Sequence, residues 1–202
     1  MSRSHGPNRI GREIGPMAIR NSATGWGWPA RLLHWLVALL IVINSVIGVY
    51  MDTNRIEDYE LIQTHKSWGF AIFTLALLRI LWRLLNPQTP ALPEVMPRWQ
   101  RRASALTHLA LYVLIVAVPI SGWLMVSASP LQDMGVRNMV FGLFEMPDPF
   151  PTGDARLTAR LVDVHYALWY ALTAVVGLHA AAALHHHFVQ RDRVLARMIL
   201  GR

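Results

Sequence analysis

The sequence predicts an all-α fold, a bundle of four helices that each cross a membrane. Three observations carry that expectation. Hydrophobic residues make up 53% of the 202-residue chain and charged residues only 15%. The apolar residues gather in four runs of roughly twenty, the length that spans a hydrocarbon core of about 30 Å. The connections between the runs are too short to form a sizeable soluble domain beside them.

The elements follow in chain order. Residues 1–24, "MSRSHGPNRIGREIGPMAIRNSAT", are polar and basic, with three glycines and two prolines. They lack the apolar core of a secretory signal and are expected to form a disordered tail, with Met17 an alternative start and His5 a solvated side chain. Residues 25–202 are expected to form one membrane domain. Its first span covers residues 29–51 and its second 61–85. The third, 103–127, carries Pro119 and Gly122; a spanning helix tolerates such a proline, often with a kink. The fourth covers 162–189. A proline-rich loop, "NPQTPALPEVMPRW", joins spans two and three. A longer loop joins spans three and four. It includes "MVFGLFEMP", too short to span and suited to the membrane interface. No convincing internal repeat is visible.

Charge gives the orientation. The tail and the start of span one carry Arg3, Arg9, Arg12, Arg20 and Arg31. The second connection and the end of span two add Arg79, Arg83, Arg98, Arg101 and Arg102, and the C-terminal end adds Arg191, Arg193, Arg197 and Arg202. The opposite side has five basic residues (Arg55, Lys66, Arg137, Arg156, Arg160) against nine acidic ones. Basic loops stay in the cytoplasm, so both termini are expected there. The net charge of +7 reports this topology and contact with anionic lipid, and nothing points to nucleic acid.

The histidines then fall at two depths. His34, His108 and His179 lie toward the cytoplasmic side, and His65 and His165 toward the outer side. His165 and His179 are fourteen apart, which returns to nearly the same helix face after a rise of about 21 Å. Facing helices can complete each site. His65 is the partner for His165; His34, with His108 as a rival, is the partner for His179.

Pairs of imidazoles at two depths suit two b-type haems, each held by two axial histidines without a covalent link. The chain has no cysteine, which excludes disulfides, thiolate-held iron–sulfur clusters and covalent haem attachment. Two other readings stay open: metal-ion binding, and a proton relay of the kind intramembrane histidines often provide. The spans hold almost no carboxylate beside the histidines except Asp163, which favours haem over a transported metal ion.

Several stretches resemble the bacterial cytochrome b561 family. They are "RLLHWL" opening span one, "HKSWGF" in span two, "HLALYVLIVAVPISG" in span three, and "DVHYALWYALTAVVGLHAAAALHHHF" followed by "RDRVLARM". The likeness covers residues 28–198. It implies a four-helix bundle enclosing two haems in the bacterial inner membrane. His34 and His179 would ligate the cytoplasmic-side haem, and His65 and His165 the periplasmic-side haem. Members with a defined activity oxidise superoxide outside and reduce ubiquinone. Others are known only as electron carriers, and related four-helix cytochromes serve as membrane subunits of hydrogenases or formate dehydrogenases.

The expected function is therefore a superoxide:ubiquinone oxidoreductase. Lys66, Arg156 and Arg160 are candidates for drawing superoxide to the outer site. Their alternative reading is ordinary loop charge on a net acidic face. His186, seven residues after His179, returns to the same face and with Arg79 and Arg83 is a candidate for a quinone head-group. His185 and His187 are read as hydrated boundary residues. Arg31 is positioned to pair with a haem propionate, and His108 to serve a propionate or supply a proton. The rivals are an electron-conduit subunit docked to a redox protein partner, and a histidine-based metal or proton transporter. The oligomeric state is not set by the sequence.

Overall fold

A computed structural model describes residues 18–54, 58–93 and 96–201. Most of the expected tail (residues 1–17, with His5 and Met17) lies outside the described residues, as do Arg55 and Arg202. Four long helices dominate: α1 (Trp28–Asn54), α2 (Tyr59–Leu85), α3 (Arg98–Ser127) and α4 (Ala155–His185). Each is long and apolar enough to cross a membrane. They run alternately up and down, so one end of the bundle gathers Ala18, the α2–α3 connection and Gly201. We call this the terminal face. The other end carries the α3–α4 connection and is the hairpin face.

Two helices begin earlier than hydropathy suggests. Asp154 accepts hydrogen bonds from the backbone N–H groups of Arg156 and Leu157, which starts α4 at Ala155, before its apolar stretch. Pro97 precedes α3, whose first turns carry Arg98, Arg101 and Arg102. These are polar overhangs that a hydropathy window does not register. Pro119 lies inside α3, which is continuous across it.

Two elements depart from four plain helices. The segment after α3 makes a 3₁₀ turn (Pro130–Met134) and then a short hairpin of β1 (Met139–Val140) and β2 (Phe144–Glu145). The hairpin is seated on α2. Phe141 N–H donates to Ser67 Oγ at 2.8 Å, Gln63 donates to Arg137 O, and Phe141 meets Trp68 edge to face. At the other end α4 closes in a π-helical turn (His186–Gln190), and α5 (Val194–Leu200) follows. α5 is fixed to the terminal face by Arg31 donating to Ile199 O, Trp35 to Met198 O and Arg197 to Ala91 O. Residues 18–24, the last part of the expected tail, are held there too. Asn21 donates to Gln88 O and accepts from Gly27 N–H, and Ala91 N–H donates to Ala23 O.

The core lies midway along the bundle. Val37, Ile41, Ile72, Ala76, Leu114, Ile115 and Leu172 form one buried cluster, with Ala76 at 0% exposure where small size lets helices approach closely. Most large apolar residues elsewhere, such as Leu39, Val46, Leu78 and Val113, are exposed and face outward, as the lipid side of a membrane bundle requires. α3 packs on α4, α1 on α2 and α2 on α3. α1 and α4 approach one another little. Their seam is a groove of about 660 Å³, bridged by Trp169 donating to Ser45 Oγ and Tyr166 to Asp52.

Candidate functional site

Position along each helix sorts five histidines, Arg79 and two glycines into two levels. At the terminal level stand His34 of α1, Arg79 of α2, His108 of α3 and His179 of α4. At the hairpin level stand Gly48, His65, Gly122 and His165 on the same four helices. In every helix the two positions are fourteen residues apart, and the residue midway between them is Ile41, Ile72, Ile115 or Leu172. All four of these are in the buried cluster. A packed apolar layer therefore separates two polar levels, each about 10 Å of helix rise away from it.

At the terminal level the ring centres of His34 and His179 are 6.2 Å apart, and those of His108 and His179 are 5.2 Å apart. Two metal–imidazole bonds of about 2 Å each, in line, put ring centres about 6 Å apart. The His34–His179 spacing fits an iron held between them, and the His108–His179 spacing is short for one. His108 is also the more exposed ring, and its Nδ1 is occupied locally, donating to Ser104 O at 2.8 Å. Arg79 lies within electrostatic reach of all three rings, with Cζ 6.0 Å from the centre of the Tyr112 ring.

At the hairpin level the histidines lie against glycines. A Cβ on Gly48 would sit 3.1 Å from Cε1 of His65, and one on Gly122 would sit 3.1 Å from Cε1 of His165. The two rings thus occupy matching notches, one in α1 and one in α3, and are within electrostatic reach of each other. Their backing differs. His165 Nδ1 is 2.9 Å from Ser121 Oγ and 3.2 Å from Val118 O. His65 Nδ1 is buried with the Asn44 backbone as its hydrogen-bonding neighbour, in the place Val118 takes for His165, but with no hydroxyl beside it, and Asn44 Oδ1 is buried without a partner among the described residues. Gly48 and Ser121 were not among the residues singled out from the sequence, and Gly122 was noted there only beside Pro119. The repeated fourteen-residue interval, applied to all four spans, would have found both glycines.

The remaining candidates are dispersed. His186 Nδ1 is paired with Asp192 at 2.5 Å, and Asp192 also caps Val194 N–H. Arg83 donates to Asn86 O and Pro87 O at the end of α2. Arg31 holds α5 through Ile199 O. His185 and His187 are exposed. On the hairpin face Lys66 is half-buried with Asp148 as its charged neighbour, while Arg156 and Arg160 are exposed on the first turns of α4. Among the described residues, no three His, Cys, Asp or Glu side chains converge as a metal-ion site.

Comparison with known proteins gives the family. The family model described as prokaryotic cytochrome b561 matches residues 25–201. The chain is 31% identical over 187 residues to cytochrome b561 homolog 2 of Escherichia coli K12, covering 91% of this chain and 95% of that protein. It is 34% identical over 168 residues to the probable superoxide oxidase CybB of Yersinia pestis, covering 83% and 91%. It is 25% identical over 170 residues to cytochrome b561 homolog 1 of Escherichia coli K12, covering 83% and 92%. The chain belongs to the prokaryotic cytochrome b561 family, a group of helical membrane cytochromes that carry b-type haem.

Proposed function

We propose that this member of the family holds two b-type haems, one per level, and moves electrons across the bacterial inner membrane from superoxide to ubiquinone. The observation that carries the reading is the pair of polar levels, with His34 and His179 6.2 Å apart at one and His65 and His165 seated in glycine notches at the other. When bound, such haems supply one-electron transfer. The protein groups hold and orient them. His34 and His179 would serve the terminal level, and His65 and His165 the hairpin level. Arg79 adds a fixed positive charge beside the first pair, suited to a propionate or a quinone oxygen.

In the proposed orientation the terminal face, with both ends of the chain, is cytoplasmic. Two superoxide anions release two electrons and two O₂ at the hairpin face. One ubiquinone takes up two electrons and two protons at the terminal face. His186, with Asp192 behind its Nδ1, and His108, with Ser104 behind its Nδ1, each keep Nε2 for hydrogen bonding or proton delivery there. Lys66, Arg156 and Arg160 supply local positive charge at the hairpin face. The similarity to a relative named probable superoxide oxidase supports this choice of substrate.

A second reading, an electron-conduit subunit, is favoured by the apolar residues that the hairpin face exposes, Met134 at 78% and Leu143 at 80%. The deciding experiment is a reduced-minus-oxidised spectrum with a pyridine haemochrome count on detergent-purified protein. Rapid reduction by a superoxide pulse and reoxidation by ubiquinone should follow. Two haems that ignore superoxide, with a redox protein co-purifying, would select the conduit. Absence of haem would overturn both readings.

A further inference from the structure

Ser121 stands directly before Gly122, at the point where the His165 ring enters its notch in α3. Its hydroxyl oxygen is 2.8 Å from Val118 O and 2.9 Å from His165 Nδ1. Val118 O is itself 3.2 Å from the same Nδ1. A carbonyl oxygen only accepts, so a bare Nδ1 lone pair facing it would be repelled. Nδ1 must therefore carry the proton. The Ser121 hydroxyl hydrogen is then directed to Val118 O, and the Ser121 oxygen accepts from His165 Nδ1–H. All three atoms are satisfied in one arrangement and conflict in the other.

We propose that Ser121 is a positioning residue that locks His165 as the Nδ1–H tautomer, keeping the Nε2 lone pair free for iron and lowering the reduction potential of the hairpin-level haem. This rests on the haem reading of that level. The physical basis is the outer-sphere hydrogen bond common to metal-bound imidazoles. An acceptor on the far nitrogen fixes the ring and makes the ligating nitrogen a stronger donor. A stronger donor favours ferric iron over ferrous and lowers the potential. The site is lopsided, because the residue before Gly48 in the opposing notch is Ile47, which offers His65 no hydroxyl.

The test is a potentiometric titration of the two haems in full-length protein carrying Ser121→Ala, Ser121→Cys and Ser121→Thr. Ser121→Ala leaves only the longer bond to Val118 O. One of the two components should then titrate at higher potential, its reduced-to-oxidised ratio at a fixed potential rising on the order of threefold to tenfold. The other component should stay in place. Ser121→Thr, which keeps the hydroxyl, should restore the wild-type curve. Ser121→Cys, with a weak sulfur acceptor, should shift the same component by less. It also stands in if the alanine variant does not accumulate. Two haems bound with both potentials unchanged in the Ala and Cys variants would overturn the role of Ser121 while leaving the haem reading intact. Wild-type protein without haem would instead remove the reading beneath it.

Discussion

The α1–α2 half of the bundle and the α3–α4 half are built on one plan and depart from it at two places. Each first helix places a histidine at the terminal level and a glycine fourteen residues on. Each second helix places a histidine at the hairpin level, where it fills the glycine notch of its neighbour. The departures are Arg79 where the other half has His179, and Ile47 where the other half has Ser121. The first puts a permanent cation where the other half has a histidine proposed to hold iron. The second leaves His65 without the hydroxyl that His165 has. Two halves can share a scaffold and still give the two levels different surroundings by changing one side chain per level.

Substitutions can break or sharpen this comparison, and the largest effect is expected at the position that differs most. His179→Ala should roughly halve the haem count per chain, because no histidine stands at its equivalent in the other half. His108→Ala should leave two haems bound, since His108 lies too near His179 to share an iron in line. Loss of haem in His108→Ala with two haems kept in His34→Ala would make His108 the partner of His179 instead, and a pyridine haemochrome count reads all three. Gly48→Val and Gly122→Val come next. Each adds bulk at a point already 3.1 Å from an imidazole carbon, an overpacking cost of about 1–3 kcal/mol. Both should weaken haem retention at the hairpin level to a similar degree in a thermal haem-release assay. A large effect in one alone would show that the two notches are not equivalent.

Smaller effects test the departures themselves. Ile47→Ser offers His65 the kind of acceptor that Ser121 gives His165. It should lower the hairpin-level potential slightly, a shift opposite in sign to that of Ser121→Ala and measured in the same titration. The ends of the two halves also differ. α2 stops at Asn86, whereas α4 runs into a π-helical turn held by the His186–Asp192 pair. Asp192→Ala removes that pair and the cap on Val194, which should cost about 1 kcal/mol locally. The expected result is faster protease clipping before α5 with the haem spectrum unchanged. A wild-type cleavage rate would remove the pair from the anchoring of α5.

How much of this was legible in the sequence depends on range. The four spans follow from hydropathy, and the two depths follow from placing His34, His65, His108, His165 and His179 within them. Both are local properties of a helix. The starts of α3 and α4 were hidden because their first turns are polar and are set by Pro97 and Asp154 rather than by apolar content. The hairpin and α5 were hidden because distant partners hold them, Ser67 and Gln63 for one, Arg31 and Trp35 for the other. Likewise, Arg83 and His186 could be placed near the terminal face from the sequence. Their partners, Pro87 O and Asp192, depend on how each helix ends.

The layer of Ile41, Ile72, Ile115 and Leu172 has an electrical consequence. Its four side chains carry no ionisable group, and in the proposed function the charge that crosses this depth is an electron. The levels are separated by about 21 Å of helix rise in a hydrocarbon core of about 30 Å. An electron passing from one level to the other therefore traverses about two-thirds of the membrane voltage, roughly 1.5 kcal/mol per 100 mV. In the proposed orientation it moves toward the negative side. Turnover in sealed vesicles would then slow as the voltage rises, and each quinone reduced would draw its protons from the compartment into which the electrons arrive.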